Sequence, residues 1–357
     1  MCKAQVKHYD VFEDIKKYPD ATMIIAYSRR SVGKTYGALW GAYERNIKVA
    51  YLKRTNRDID TLCKPLEDYK ASPYSPINRD HGTRIYPKKT GEGLAAFHTM
   101  DKDFNITGPA ISIAFSLSGV KDIKGFDLSD CDLMIMDEFI PQATETRVLT
   151  NECDGMLDAY LTISRDRIER GRGAMKLLLF ANAESLYCPI VDGLELMSEL
   201  SEVSQKNLTY KYIENRRILI HNINDIELDE SVKRDGMYIC MYGTKWWRKS
   251  YLGEFADADF SNVKKVVLKK YQPLIHLRYR DKDYFIYRKD RDYHVCDTMS
   301  NRYRSEFNLD RDNDVRSFYG KYVFDLQEAC TMGHVTFSDY FLYDLIMNFD
   351  KRFKKIL

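Results

Sequence analysis

The chain has 357 residues, enough for two domains, and at 44% apolar and 30% charged it belongs with globular proteins rather than disordered or fibrous ones. A mean hydropathy of −0.47, with no uninterrupted apolar stretch near the ~18 residues a bilayer requires, excludes a transmembrane helix. The net charge of +2 is the difference between 55 basic and 53 acidic side chains, so a nucleic-acid partner has to be argued from local patches.

The first twenty residues, MCKAQVKHYDVFEDIKKYPD, lack the apolar segment of a secretory signal. Eight scattered cysteines, with no C-x-x-C and no paired histidines, read as reduced, mostly buried cytosolic thiols rather than a zinc site or disulfide framework. From residue 21 to 200, short apolar runs alternate with amphipathic stretches, which predicts an α/β region with a mainly parallel sheet. The runs are Thr22 to Tyr27, Lys48 to Leu52, Ile111 to Leu117, Leu133 to Met136 and Lys176 to Ala181. Their near-continuous apolar character suits a sheet covered on both faces.

The first run leads into Ser28-Arg29-Arg30-Ser31-Val32-Gly33-Lys34-Thr35, followed by helix formers from Tyr36 to Arg45. A strand, a loop closing on Gly-Lys-Thr and a helix are the context of a phosphate-binding loop, with Ser28 where the pattern has its first glycine. Backbone N–H groups at the helix start favour an anion. Lys34 is expected to reach the β and γ phosphates, and the Thr35 hydroxyl to ligate Mg²⁺. The second run ends in Lys53-Arg54-Thr55-Asn56-Arg57, cations suited either to DNA phosphates or to an ordinary solvated strand end.

The run Leu133 to Met136 delivers Asp137 and Glu138 at its C-terminal end, the edge where open parallel sheets hold ligands. Asp137 is expected to hold Mg²⁺ through its water shell, and Glu138 to orient and deprotonate an attacking water. Next comes Ser164-Arg165-Asp166-Arg167-Ile168-Glu169-Arg170-Gly171-Arg172. It reads as a solvated helix end or as the source of an arginine finger for a neighbouring subunit, with four arginines competing by position. The run Lys176 to Ala181 ends at Asn182, which either caps a turn or senses the γ-phosphate.

These residues, in order, resemble the DNA-packaging ATPases of phi29-like tailed phages, relatives of terminase large subunits. The resemblance rests on Y-x-x-R-x-V-G-K-T, Y-L-K-R-T, L-M-I-M-D-E-F-I, S-R-D-R-I-E-R and L-F-A-N-A and covers roughly residues 20 to 190. It implies an ASCE-type P-loop ATPase using ATP and Mg²⁺, with the nucleotide held by Ser28, Arg29, Arg30, Ser31, Val32, Gly33, Lys34, Thr35, Asp137 and Asn182. It further implies Glu138 and Lys34 as catalytic, Arg165 as the finger, Lys124 as an intersubunit coupling residue, and Lys53, Arg54 and Arg57 as contacts to double-stranded DNA. The implied partners are the phage portal or connector, the procapsid and further copies of the chain in a ring of five. A structural packaging RNA stays an open alternative, and the implied location is the host cytoplasm, at the procapsid portal vertex during packaging.

The expected organisation is a motor domain over 1–200, a polar linker over 201–260 containing Trp246 and Trp247, and a third region over 261–357. The tryptophans read as packing or, alternatively, as a base-stacking platform. The third region has 19 basic and 14 acidic residues (+5), strand-like alternation over Leu274 to Arg280 and Tyr284 to Arg288, and helical spacing from Ser338 to Leu357. Terminase-type relatives carry an RNase H-like nuclease there. Its two-metal chemistry needs a carboxylate on the opening strand, and Leu274 to Arg280 has none. The expectation is therefore a small α+β, vestigial nuclease-like domain that binds nucleic acid or the portal.

Overall fold

The computed structural model describes residues 8–65, 69–119, 128–142, 151–255 and 258–357. The chain divides into two compact units, Met1–Ala258 and Asp259–Leu357. The first is a mixed α/β fold built on nine strands: β1 (Met23–Ser28), β2 (Val49–Lys53), β3 (Ile85–Gly91), β4 (Leu94–Met100), β5 (Ile106–Ser116), β6 (Leu133–Asp137), β7 (Lys176–Asn182), β8 (Tyr210–Ile213) and β9 (Ile218–Ile223). Their order across the sheet is β3-β4-β5-β2-β6-β7-β1-β9-β8. The six strands from β5 to β9 in that order run parallel, and antiparallel pairing adds β4 and β3 at one edge and β8 at the other.

The five apolar runs predicted from the sequence lie in β1, β2, β5, β6 and β7. Burial on both faces explains why they read as continuous: β2 and β6 each bury four successive residues, and β7 five. Helices α1 (Val11–Lys17), α2 (Lys34–Glu44), α3 (Asn56–Leu62), α4 (Ser75–His81) and α5 (Glu152–Ser164) accompany the sheet. A buried polar contact ties α1 to the central strands: the carboxylate of Asp14 meets His221 of β9 at 2.7 Å and accepts from the Tyr9 hydroxyl at 2.6 Å. Thr55 and Asp58 form a reciprocal capping box at the start of α3, turning the chain sharply after β2.

The expectation of a linker over 201–260 is corrected. Residues 210–223 supply β8 and β9, and β9 pairs in register with β1 along its whole length, from Met23↔Ile218 to Ser28↔Ile223. The polar clusters that suggested a linker flank a fully buried six-residue strand. Trp247 is buried, whereas Trp246 is 43% exposed.

The second unit holds a five-stranded sheet of β10 (Gln272–Tyr279), β11 (Lys282–Lys289), β12 (Asp292–Cys296), β13 (Ser305–Asn308) and β14 (Val335–Phe337), in the order β13-β10-β11-β12-β14. β10, β11 and β12 are mutually antiparallel, while β13 runs parallel to β10 and β14 parallel to β12. Ile275 and Leu277 of β10 enter a core shared with Val315 and Phe318 from helix Asp312–Phe318 and with Leu342 and Leu345 from helix Tyr340–Met347. The long helical stretch expected from Ser338 is two pieces, interrupted at Asn348. No helix among the described residues is long and apolar enough to cross a membrane.

Candidate nucleotide site

Four neighbouring parallel strands bring their carboxyl ends to one edge: β1 ends at Ser28, β7 at Asn182, β6 at Asp137 and β2 at Lys53. In-register pairing sets Ser28 beside Asn182 and Asp137 beside Phe180. At this edge lies a cavity of about 430 Å³. Gly33, Lys34 and Thr35 form one wall; Lys53, Asp137, Glu138 and Asn182 contribute the others.

The loop from Arg29 to Gly33 is shaped by two left-handed residues, Ser31 (φ 64°) and Gly33 (φ 78°). Gly33 is needed on two counts. Its φ disfavours any Cβ, and a Cβ there would lie 2.5 Å from His8 Nδ1. Gly33 is also the residue before the first turn of α2, and no side chain caps that helix start. The first N–H groups of α2 therefore face the cavity end of the loop, the arrangement that favours an anion.

Lys34 is buried, and its ammonium donates to Ser28 Oγ at 2.6 Å and Asn182 Oδ1 at 3.3 Å. Ser28, at the position where the motif has glycine, thus serves as a parking acceptor for the loop lysine. Burial lowers the Lys34 pKa to about 8, partly offset by attraction to Asp137. Lys53 is shifted in the opposite direction: the adjacent Tyr51 and the carboxylates of Asp137 and Glu138 outweigh its burial and raise its pKa. Glu138 adopts φ 56°, unusual for a residue with a side chain, and its N–H donates to Asp137 Oδ1 at 2.9 Å. This turn splays the two carboxylates, leaving Asp137 half-buried and Glu138 exposed.

Of the three cations expected to grip DNA, one is committed inside the protein and one lines the cavity. Arg54 is 5% exposed; its Nε donates to Glu152 Oε1 at 2.8 Å and its Nη2 to the carbonyl of Phe139 at 2.8 Å. It is an internal tie between the end of β2, the turn after Glu138 and the start of α5. Lys53 is half-buried and lines the cavity. Of the three, Arg57 alone is exposed. Sequence pattern could not separate them, because alternation along a strand end sends neighbouring side chains to different environments.

The four competing arginines also divide. Arg167 is buried, donating to the carbonyls of Ser129 (2.7 Å) and Cys131 (2.6 Å) and to Asp132 Oδ1 (2.6 Å). Arg172 meets the Ser129 carbonyl and Asp132, and Arg170 donates to Ser129 Oγ. Arg165 stands exposed just past the end of α5, with no hydrogen bond or ion pair among the described residues. Lys124 lies outside the described residues.

The opposite side of the loop is buttressed by residues the sequence did not mark. Arg29 donates to the carbonyls of Ile226 and Glu227, at 3.3 and 2.9 Å. Arg30 meets the buried Glu184 at 3.0 Å, and Glu184 also pairs with Lys249. Gly253 (φ 72°) lets the chain pass so close that a Cβ would sit 2.5 Å from the Arg29 nitrogen. Arg29 and Arg30 thus shape the loop from behind, while the cavity side is left to Ser31 through Thr35. The one available sequence signal was the placement of Glu184 two residues after Asn182.

Fold and site together define a mixed α/β protein with a cavity at the carboxyl edge of a parallel sheet, between a glycine–lysine loop and a pair of carboxylates. Among solved structures, the chain is similar to the Phi-28 gp11 DNA packaging motor at 16% identity, over 99% of this chain and 98% of that one (TM-score 0.59). It is similar also to the bacteriophage Phi-29 viral genome packaging motor assembly at 14% identity, over 98% of this chain and 100% of that one (TM-score 0.64). No protein-family model and no curated protein matches the sequence.

Proposed function

We propose that the chain is an ATPase that drives double-stranded DNA into a viral procapsid as a homo-oligomeric ring, with five copies the expected number. The observation that carries this reading is the convergence of Lys34, Asp137, Glu138 and Asn182 on one cavity at the ends of β1, β6 and β7. The strand order supports an ASCE-type arrangement, because β7 is inserted between the loop strand β1 and the acidic strand β6. The fold likeness to two phage packaging motors, over nearly the whole of both chains, supports the cellular role.

The chemistry follows from the donor set. The start of α2 and the Lys34 ammonium receive phosphate oxygens. Thr35 and Asp137 offer the oxygen ligands a hard divalent cation prefers, so the residues fit Mg²⁺, which when bound screens phosphate charge. Glu138, turned outward by its left-handed backbone, accepts the proton of the attacking water. Asn182, shared between the Lys34 ammonium and the cavity, registers the loss of the terminal phosphate. Arg165, exposed and uncommitted, is the arginine offered to the site of an adjacent copy. Arg57 is the remaining candidate among the three for contact with the DNA backbone, and such contacts hold any sequence.

For the second unit we infer a vestigial RNase H-like domain that binds nucleic acid or the portal. The antiparallel β10-β11-β12 with β13 parallel to β10 supports it, and β10 carries no acidic residue. Portal or connector, procapsid and a packaging RNA are its candidate partners, at the portal vertex in the host cytoplasm.

The test is steady-state ATP hydrolysis with and without double-stranded DNA. DNA-stimulated turnover lost in Lys34→Ala and Glu138→Gln supports the motor. Tight nucleotide binding with no turnover in the presence of portal and procapsid refutes it.

A further inference from the structure

The proposed nucleotide site has a cation that the phosphate-loop pattern does not account for. Across the sheet edge, the order β1-β7-β6-β2 lines up Lys34, Asn182, the Asp137–Glu138 pair and Lys53. Adjacent strands are about 4.8 Å apart, so the end of β2 lies roughly 14 Å of sheet edge from the end of β1. Both lysines line this one cavity, Lys34 from the loop side and Lys53 from the end of β2, with Asp137 and Glu138 at the end of the strand between Asn182 and β2. ATP bound with its phosphates on the loop and α2 would extend them past Asp137 toward β2.

We propose that Lys53 is a second cationic ligand of the nucleotide, contacting the terminal phosphate of ATP. The proposal rests on the nucleotide-site reading above and adds to it a residue that distinguishes ATP from ADP. Two observations favour it over a DNA contact. Lys53 lines the cavity with Asp137 and Glu138. The chain immediately after it is anchored inward by the Arg54–Glu152 pair, which holds the end of β2 in place.

The experiment titrates the full chain and its Lys53→Met, Lys53→Gln and Lys53→Arg variants with Mg-ATP and Mg-ADP, and separately with double-stranded DNA across a salt series. Lys53→Met keeps the packing of the aliphatic stem, and circular dichroism checks that each variant is folded. A lost hydrogen bond to a charged phosphate predicts ATP affinity about 10- to 100-fold weaker in Lys53→Met and Lys53→Gln. ADP affinity is expected to change less than about threefold, with partial rescue in Lys53→Arg. The slope of DNA affinity against salt should stay that of the unaltered chain. Unchanged ATP affinity, or equal weakening of ATP and ADP, overturns the assignment. A DNA slope reduced by about one, with ATP binding intact, returns Lys53 to the DNA. Lys34→Ala separates the two levels. If it abolishes ATP binding while the Lys53 variants bind normally, only this inference fails; if it leaves ATP binding intact, the nucleotide-site reading fails as well.

Discussion

Replacing Arg54 with alanine tests whether this residue is an internal tie or a DNA contact. Its guanidinium is buried against the fully buried Glu152, at 2.8 Å, and donates at the same distance to the Phe139 carbonyl. Removing one partner of a buried pair strands the other charge away from water, which costs about 3–5 kcal/mol. For a unit of this size each kcal/mol lowers the melting temperature by roughly 2–4 °C, so Arg54→Ala should unfold about 6–20 °C earlier. The Arg54→Met/Glu152→Leu double variant should lose less than the sum of its single variants, because it leaves no unpaired charge. Thermal and urea unfolding measure both, beside Arg57→Ala as the exposed comparison. The reasoning is refuted if Arg54→Ala melts within a degree of the unaltered chain while its DNA affinity loses one phosphate's worth of salt dependence.

Three further outcomes are expected. Because the Lys34 pKa is lowered to about 8, the free protein loses the charge proposed to receive phosphate as pH rises through 8. Nucleotide affinity should hold from pH 6 to about 7.5 and weaken above 8, while this group's contribution to stability rises between pH 8 and the ordinary lysine value, where the unfolded chain binds the extra proton. A flat binding profile to pH 9.5 contradicts that shift. Gly33→Ala forces a Cβ into the left-handed region at about 1–2 kcal/mol and against His8, so nucleotide binding measured by calorimetry should fall sharply with the fold retained. Arg167→Ala, which strands three acceptors, should destabilise by about 3 kcal/mol or more, whereas Arg165→Ala should melt normally and poison turnover out of proportion when mixed with active subunits. A linear mixing response would remove Arg165 from any shared site.

The site was legible where chemistry and local chain geometry coincide. Gly33-Lys34-Thr35 follows a strand and opens a helix, and Asp137-Glu138 ends a buried strand, so residue type and position in the element suffice to put both at the carboxyl edge. The fold was legible to the extent that burial on both faces writes continuous apolar runs, as in β1, β2, β6 and β7. β9 escaped because polar flanks surround it, and β8 because an edge strand needs few apolar residues.

What the sequence by itself determined is therefore the local chemistry: the glycine–lysine loop, the paired carboxylates and the strands that carry them. Tertiary structure alone decided the fate of each charged side chain. Lys53 and Arg54 are adjacent and alike in sequence, yet one lines the cavity at the sheet edge and the other is paired with Glu152, a residue far along the chain. The same holds for Arg165 and Arg167, one in solvent and one bound to the carbonyls before β6. The energy of a charge depends on the dielectric and the partners around it. Those are set by segments distant in sequence, which no local pattern records.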